Sequence, residues 1–315
     1  MISAKIIAHS KSSVTGKEII TFELIYPRFI HSELMTHRLF SRNAASSRAI
    51  PVTKMIEMVR ENPASPIHWG KNQPGMQAKE ELTGCDLDAT KSDWITAAKA
   101  AASIADRMVG YGAHKQIVNR ILEPFQWMKT VVTSTEWDNW YWLRNHPDAQ
   151  PEIKRLAEVM WEAKEASEPR LLQPGDWHVP YYDDGSWISS AYEDNTLEEA
   201  LAISSSCCAQ VSYRKLDDSL EKAQDIFAKL IESKPCHASP CEHQATPMEE
   251  SGEFWDESGD YGVNCLCDPD TWQKGITHVD RKGNFWSGNF KGFVQHRQLI
   301  PDNACWNYSP DGDKE

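Results

Sequence analysis

Residues 36–50, THRLFSRNAASSRAI, gather His37, Arg38, Ser41, Asn43, Ser46, Ser47 and Arg48 without a single carboxylate. Arg38 and Arg48 bring planar, permanently charged forks that match phosphate geometry. Ser41, Ser46 and Ser47 add hydroxyl donors, and backbone N–H groups of a turn there can form an anion nest. Asn43 donates and accepts at once, which suits the edge of a base or of an isoalloxazine ring. A nucleotide is the natural ligand class for such a set. The same composition also fits a solvated loop whose serines cap a helix.

The motif stands against an acidic background. The chain has 315 residues, with 46 Asp and Glu against 33 Lys and Arg, a net charge of −13. That balance argues against a nucleic acid polymer as partner. It leaves room for a small anion held by local arginines. No apolar run is long enough to span a bilayer, so no membrane partner is expected. The opening MISAKIIAHSKSSVTGKEII has no long apolar segment with a cleavage site, so no signal peptide is expected. The eight scattered cysteines then read as reduced thiols, which points to the cytoplasm.

The elements that must position the motif follow from pattern. SAKIIAHS and KEIITFELIYP read as strands joined by a turn at SVTG, the second ended by Pro27. RFIHSELMTHRLF, apolar at Ile30, Leu34 and Met35, predicts a helix leading into the motif. Residues 62–90 predict a long loop. KSDWITAAKAAASIADRMVGYG predicts a helix capped at Ser92 or Asp93 and stopped at Gly110 or Gly112. KQIVNRILEPF predicts a short helix halted near Pro124, and STEWDNWYWLRNH a further helix start. AQPEIKRLAEVMWEAKEAS predicts an amphipathic helix with Pro151 in its first turn. Residues 169–195 read as loop, with Asp183 and Asp184 a solvated pair in a turn. TLEEALAISSSCCAQVSYR and LDDSLEKAQDIFAKLIESK predict two more helices, and the chain beyond Glu249 reads as irregular. His9, His31, His68 and His114 have no motif context and read as structural.

The motif resembles the signature of flavin-dependent thymidylate synthases (ThyX), RHRxxSxNExSxRY. His37, Arg38, Ser41, Asn43, Ser46 and Arg48 match at the family's spacing, whereas Thr36, Ala44 and Ala49 replace its first Arg, its Glu and its final Tyr. Downstream, NRILEPF, DNWYWLR and DAQPEI resemble further family segments and put Arg120, Asn139 and Arg144 on matching positions. Asp148 stands where the family has a His, with His146 two residues earlier. Two elements that precede the signature in the family find their likeness late: CCAQVSY at 207–213 and CHASPCEH at 236–243. The resemblance therefore implies one circularly permuted α+β domain, an antiparallel sheet with helices and extra loops. Residues 1–61 would hold strands and signature, 91–168 the helical part, 196–245 the family's N-terminal elements, and 246–315 an insert and tail. Permutation is tolerable when the old termini lie close together and the new ones are exposed.

The resemblance also implies chemistry: reductive methylation of dUMP at C5, with FAD, NADPH and methylenetetrahydrofolate. His37, Arg38, Asn43, Asn139, Ser212, Ser239 and Glu242 would hold the cofactor, with His237 and His243 framing the last turn. Ser46, Ser47, Arg48, Arg120, Arg144, Gln295 and Arg297 would hold substrate. Arg144, Arg48 and Ser46 would serve catalysis, Ser46 by positioning and not by covalent attack. Glu33 and Thr36 occupy places where the family has a Gln and an Arg, and the tail GFVQHRQLI offers Gln295 and Arg297 to restore them. No metal is expected, and a homotetramer with shared active sites is. Ala44 in place of the family's Glu leaves open dCMP as substrate or a hydroxymethyl product. Other readings stand beside this one. Cys236 in KPCHASPCEHQ can be read as the nucleophile of a cysteine-dependent thymidylate synthase. Cys236, His237, Cys241 and His243, with Cys265 and Cys267 nearby, can be read as a zinc site. A non-catalytic flavin- or zinc-binding protein would use the region of Trp255, Trp272 and Trp286 to contact a partner.

Overall fold

A computed structural model describes residues 1–191, 196–212, 216–250 and 269–307. Trp255, Cys265 and Cys267 lie outside the described residues, as does the end of the expected helix at 213–214.

Strands β1 (Ser3–Ser12) and β2 (Glu18–Pro27) pair antiparallel. The turn between them needs Gly16, whose φ of +67° is a left-handed value that favours glycine. A 3-10 turn at Arg28–Ile30 leads into α1 (His31–Leu34), which buries Ile30 and Leu34. The expected helix stops there, short of the motif. His37 and Phe40 turn inward onto Trp140 and Trp137, and Arg42 Nη1 donates to the carbonyls of Met35 and His37 at 3.0 and 3.1 Å. The guanidinium thus occupies carbonyls that a continuing helix would have used.

The motif continues as β3 (Ser41–Ala44), followed by α2 (Val52–Glu61). Helix α3 (Gly84–Gly110) begins earlier than the expected caps at Ser92 or Asp93, so the loop closes at Thr83. Asp86 in its first turn complements the positive end of the helix. After α4 (Lys115–Val118) a 3-10 segment, Asn119–Phe125, accommodates Pro124. Then come β4 (Trp127–Ser134), α5 (Asp138–Arg144) and α6 (Pro151–Glu165), the last with its proline at the first helical position. The region expected as loop contains three short strands: β5 (Arg170–Leu172), β6 (Trp177–His178) and β7 (Ser186–Trp187). Helices α7 (Thr196–Ala209) and α8 (Leu220–Leu230) follow. The tail supplies β8 (Ala245–Pro247), β9 (His278–Val279), β10 (Phe285–Ser287), β11 (Phe290–Lys291) and β12 (Phe293–Gln295).

The fold is α+β. Its main sheet runs β3-β4-β2-β1-β5, antiparallel except that β5 joins β1 in parallel. A four-stranded sheet, β12-β8-β6-β7, and a three-stranded one, β11-β10-β9, come from the later chain. Alternation along β2 divides the molecule. Ile20, Phe22, Leu24 and Tyr26 face α5 and α6 and join Trp137, Trp140, Leu156 and Met160 in one core. Ile19 faces the opposite way, against Leu172, Ala245, Phe290 and Phe293. A satellite core joins Met55, Ile56 and Val59 of α2 to the alanine stripe Ala98, Ala102 and Ala105 of α3.

Candidate active site

Strand β3 lies at an end of the main sheet, paired to β4 along one side. Register sets Ser41 opposite Thr133 and Asn43 opposite Val131, so these two side chains point toward the later chain. Asn43 Nδ2 donates to the Cys208 carbonyl at 3.2 Å, and Ser46 N donates to Ser212 Oγ at 2.8 Å. Gln295, almost wholly buried, shares its amide N–H groups among Ser41 Oγ (3.1 Å), the Glu242 carbonyl (3.0 Å) and Asn289 Oδ1 (2.9 Å). Asn289 Nδ2 donates to the Leu39 carbonyl at 2.9 Å. Arg297 pairs with Glu242 and donates to the Asn303 carbonyl. The tail therefore lies beside the opening motif.

A second grouping sits at the motif's start. Arg144 Nε donates to His37 Nε2 at 3.0 Å and Arg144 Nη2 to Thr36 Oγ1 at 3.2 Å, with Glu33 at 3.9 Å. Burial, then the Arg144 and Arg42 charges, push the His37 pKa down to about 4. Its ring is neutral at pH 7, with Nε2 the acceptor and the proton on Nδ1. Arg42 connects the two groupings. Its charge acts on His37, Glu242 acts on it, and Arg38 stands close enough to repel it. Burial lowers the Arg42 pKa and Glu242 opposes that shift. Pattern reading passed over Arg42, which fills an unspecified place in the signature between Ser41 and Asn43.

A third grouping centres on Glu123. One carboxylate oxygen receives Ser47 Oγ (2.7 Å), Arg120 Nη1 (2.9 Å) and Arg28 Nη2 (3.1 Å). Buried Asn119 donates from Nδ2 to the carbonyls of Ser47 and Ile50 at 2.6 and 3.0 Å, fixing the loop after β3. Neither Glu123 nor Asn119 was singled out in the sequence, although both flank Arg120 in NRILEPF.

Four of the expected residues are not drawn into these groupings. Arg38, Arg48, Asn139 and Ser239 are exposed, and their side chains make no hydrogen bond or ion pair among the described residues. A cavity of ≈ 180 Å³ lies in the tail, lined by Glu249, Trp272, Gln273, Ile276 and Phe285, and takes in none of the expected cofactor or substrate residues. Among the described residues no three His, Cys, Asp or Glu side chains converge as metal ligands. His243 turns instead to Thr133 at 2.8 Å and Cys241 to Ser205 at 3.5 Å. Burial pushes the Cys207 and Cys241 thiols up to about 12, away from reactive thiolate character. Among the described residues no helix is long and apolar enough to cross a membrane.

Fold and edge strand together define an α+β protein with a cationic, amide- and hydroxyl-bearing face suited to an anionic ligand. A family model described as "Thymidylate synthase complementing protein" (Thy1) matches residues 2–170, over half of the chain, and the protein belongs to that family. Among solved structures it is similar to the UMP/dUMP methylase PolB from Streptomyces cacaoi bound with 5-Br UMP. That match has 19% identity over 53% of this chain and 89% of the other, with a TM-score of 0.43. The same methylase with 5-Br dUMP matches at 18% identity over 53% and 90%, with a TM-score of 0.44. ThyX from Helicobacter pylori with FAD and dUMP matches at 16% identity over 46% and 67%, with a TM-score of 0.32. No curated protein matches.

Proposed function

We propose that this protein is a flavin-dependent pyrimidine nucleotide methylase. It would transfer a one-carbon unit from methylenetetrahydrofolate to C5 of dUMP, with FAD as cofactor and NADPH as reductant. One observation carries the reading. Segments far apart in the chain meet along β3: Ser46 meets Ser212 across 166 positions, and Ser41 meets Gln295 across 254. Ser212 belongs to a late segment whose family likeness implies the cofactor site, and Gln295 to the tail expected to reach the nucleotide. Their arrival at the signature supports a circularly permuted chain order.

The donor set suits FAD. Arg38 and Arg48 present guanidinium groups without an internal partner among the described residues, as an anionic pyrophosphate or phosphate requires. Asn139 and Ser239 add exposed donors, and Glu242 is fixed in place by Arg297. When bound, reduced FAD supplies the hydride. The protein's part is orientation and charge. Neutral His37 and Thr36 fix the Arg144 fork, leaving part of it to stabilise negative charge that develops on the pyrimidine. Arg48 takes phosphate, and Ser46, held through its backbone by Ser212, positions the ring. Arg120 and Ser47 reach the nucleotide from the Glu123 side. Gln295 and Arg297 bring the tail's amide and guanidinium to Glu242.

A cytoplasmic homotetramer with shared sites is part of the proposal, and the exposed apolar side chains near Arg144 would serve its subunit contacts: Trp142 is 75% exposed, and Leu143, Met35 and Leu39 are exposed too. The test is direct. Purified protein is incubated with FAD, NADPH and methylenetetrahydrofolate, and with dUMP or dCMP in turn, and the product is identified by mass. A methylated dUMP supports the reading. A hydroxymethyl product or turnover of dCMP redirects it toward what Ala44 leaves open. Flavin binding without product favours a non-catalytic binding protein, and a protein that neither binds FAD nor turns over ends the reading.

A further inference from the structure

A continuous chain of buried side chains crosses the sheet beneath the candidate site. Ser10 Oγ meets His178 Nδ1 at 2.9 Å, and His178 Nε2 meets Thr21 Oγ1 at 2.8 Å. Thr21 Oγ1 meets Thr133 Oγ1 at 2.7 Å, and Thr133 Oγ1 meets His243 Nδ1 at 2.8 Å. All five residues are at most 1% exposed. Thr21 and Thr133 are in register on β2 and β4, and Ser41 of the signature strand is in register with Thr133. None of these contacts belongs to a reacting group of the proposed site.

The proton count limits how the donors along this chain can be arranged. Each hydroxyl carries one proton, and burial keeps both imidazoles neutral, with pKa values pushed down to about 3. Four hydrogen bonds among five single-proton groups are satisfied when the donors run one way along the chain or converge on a threonine hydroxyl, whose two lone pairs accept from both sides. Either Ser10 starts the series and His243 ends it with a proton on Nε2, or His243 donates from Nδ1 and keeps a lone pair on Nε2. In each case Nε2 is buried without a partner among the described residues. A polar nitrogen left so in the interior costs stability, so its placement calls for an explanation.

His243 follows directly on the 3-10 turn Ser239–Glu242. The next links are known: the Glu242 carbonyl receives Gln295, which also binds Ser41, and the Glu242 carboxylate meets Arg297. We infer that Thr133 and His243 are positioning residues: through the buried chain they register the Ser239–Glu242 turn against the signature strand, and so set the geometry of flavin binding. The inference rests on the proposed FAD site. It adds that an anchor wholly under the sheet, touching no ligand, tunes that site.

Thr133→Val keeps the shape and removes the hydroxyl, so it cuts the chain next to His243. Thr133→Ser keeps the hydroxyl. Thr21→Val cuts the chain one link further away and leaves the Thr133–His243 contact. The full-length variants are titrated with FAD by flavin fluorescence, and their melting is followed by circular dichroism. The expected result is FAD affinity ~10-fold weaker in T133V, about one lost hydrogen bond, with a shifted flavin absorption band. T133S should stay close to the unmodified protein. T21V should lose melting temperature as T133V does but bind FAD more tightly than T133V. Equal FAD binding by T133V and the unmodified protein overturns the inference. If T133V does not fold, hydrogen exchange on the unmodified protein decides: FAD must slow exchange in residues 239–243, and unchanged exchange there overturns the inference. An unmodified protein that binds no FAD fails the functional reading itself, an outcome visible before any variant is made.

Discussion

The two faces of the main sheet are built on different chemistry. Toward α5 and α6 the sheet is apolar: Phe22 and Leu24 are fully buried, Phe22 meets Trp137 edge to face at 5.1 Å, and Trp140, Leu156 and Met160 close the layer. Toward the later chain the same strands present Thr21, Thr133, Ser41 and Asn43, and the partners are imidazoles, amides and backbone carbonyls. The first face is non-directional and tolerates small shifts. The second depends on direction, since each buried polar atom must meet a specific partner or cost stability. The difference teaches that the later chain, although it has apolar clusters of its own around Phe290 and Phe293 and around Trp177 and Trp187, is set in register on the sheet by hydrogen bonds that end at the candidate site.

Acid is the strongest way to break this contrast, because His178, His243 and His296 all lie toward the later chain, whereas His37 is the one histidine lowered as far that packs on the apolar core among the described residues. Burial pushes His178 and His243 down from 6.5 to about 3 and His296 to about 4. Between those values and 6.5 the unfolded chain binds more protons than the folded one, so stability falls as pH falls through 6.5. The slope is ~1.4 kcal/mol per pH unit for each such histidine. Hydrogen exchange between pH 7 and 4.5 should show β6, β8 and β12 opening before β2 and β4. Simultaneous opening of both sets would erase the distinction.

Next in size is a cavity on the apolar face. Phe22→Ala should cost ~3–5 kcal/mol, because the ring is fully buried and its neighbours can relax only in part. Chemical denaturation would show a lower midpoint with an unchanged slope. On the polar face Gln295→Ala should cost less, ~1–3 kcal/mol, by leaving Ser41, Asn289 and the Glu242 carbonyl short of donors. Its effect should be local: limited proteolysis should cleave the tail sooner in this variant than in Phe22→Ala at matched stability.

The contrast also explains what the sequence made legible. The apolar face announces itself by period, so β1, β2 and α6 could be placed from spacing, whereas the α+β class came from the family likeness. Strand β4 was not separated out, because WMKTVVTS is buried on both sides and shows no simple alternation. β5, β6 and β7 are two or three residues long and exist through pairing partners far away in the chain, which local pattern does not carry. Helix α3 began before its expected cap because its first turns are mostly exposed and lack apolar period. At the site, motif spacing located the signature, and likeness located the turn at 239–242. Arg42, Thr133, Asn119 and Glu123 escaped because their roles arise from where three strands and a 3-10 segment converge, not from their own neighbours in sequence.

The smallest stability effects should accompany the largest functional ones, on the open edge where neither face dominates. Arg48 is exposed and its side chain has no partner among the described residues, so Arg48→Ala should change stability by no more than ~0.5 kcal/mol. Nucleotide affinity should nevertheless fall ~10-fold or more, since a charge-assisted contact to phosphate would be lost. Arg297 provides the counterpart. Its pair with Glu242 is partly exposed, so breaking it should cost ~1 kcal/mol or less. If the tail's guanidinium also serves the nucleotide, Arg297→Ala should weaken dUMP binding by more than that stability loss would suggest. Calorimetric titration of both variants with dUMP separates the cases. Equal affinity in Arg297→Ala and the unmodified protein would confine Arg297 to holding Glu242, and would leave nucleotide recognition to Arg48 and Arg144 on the family-matched side.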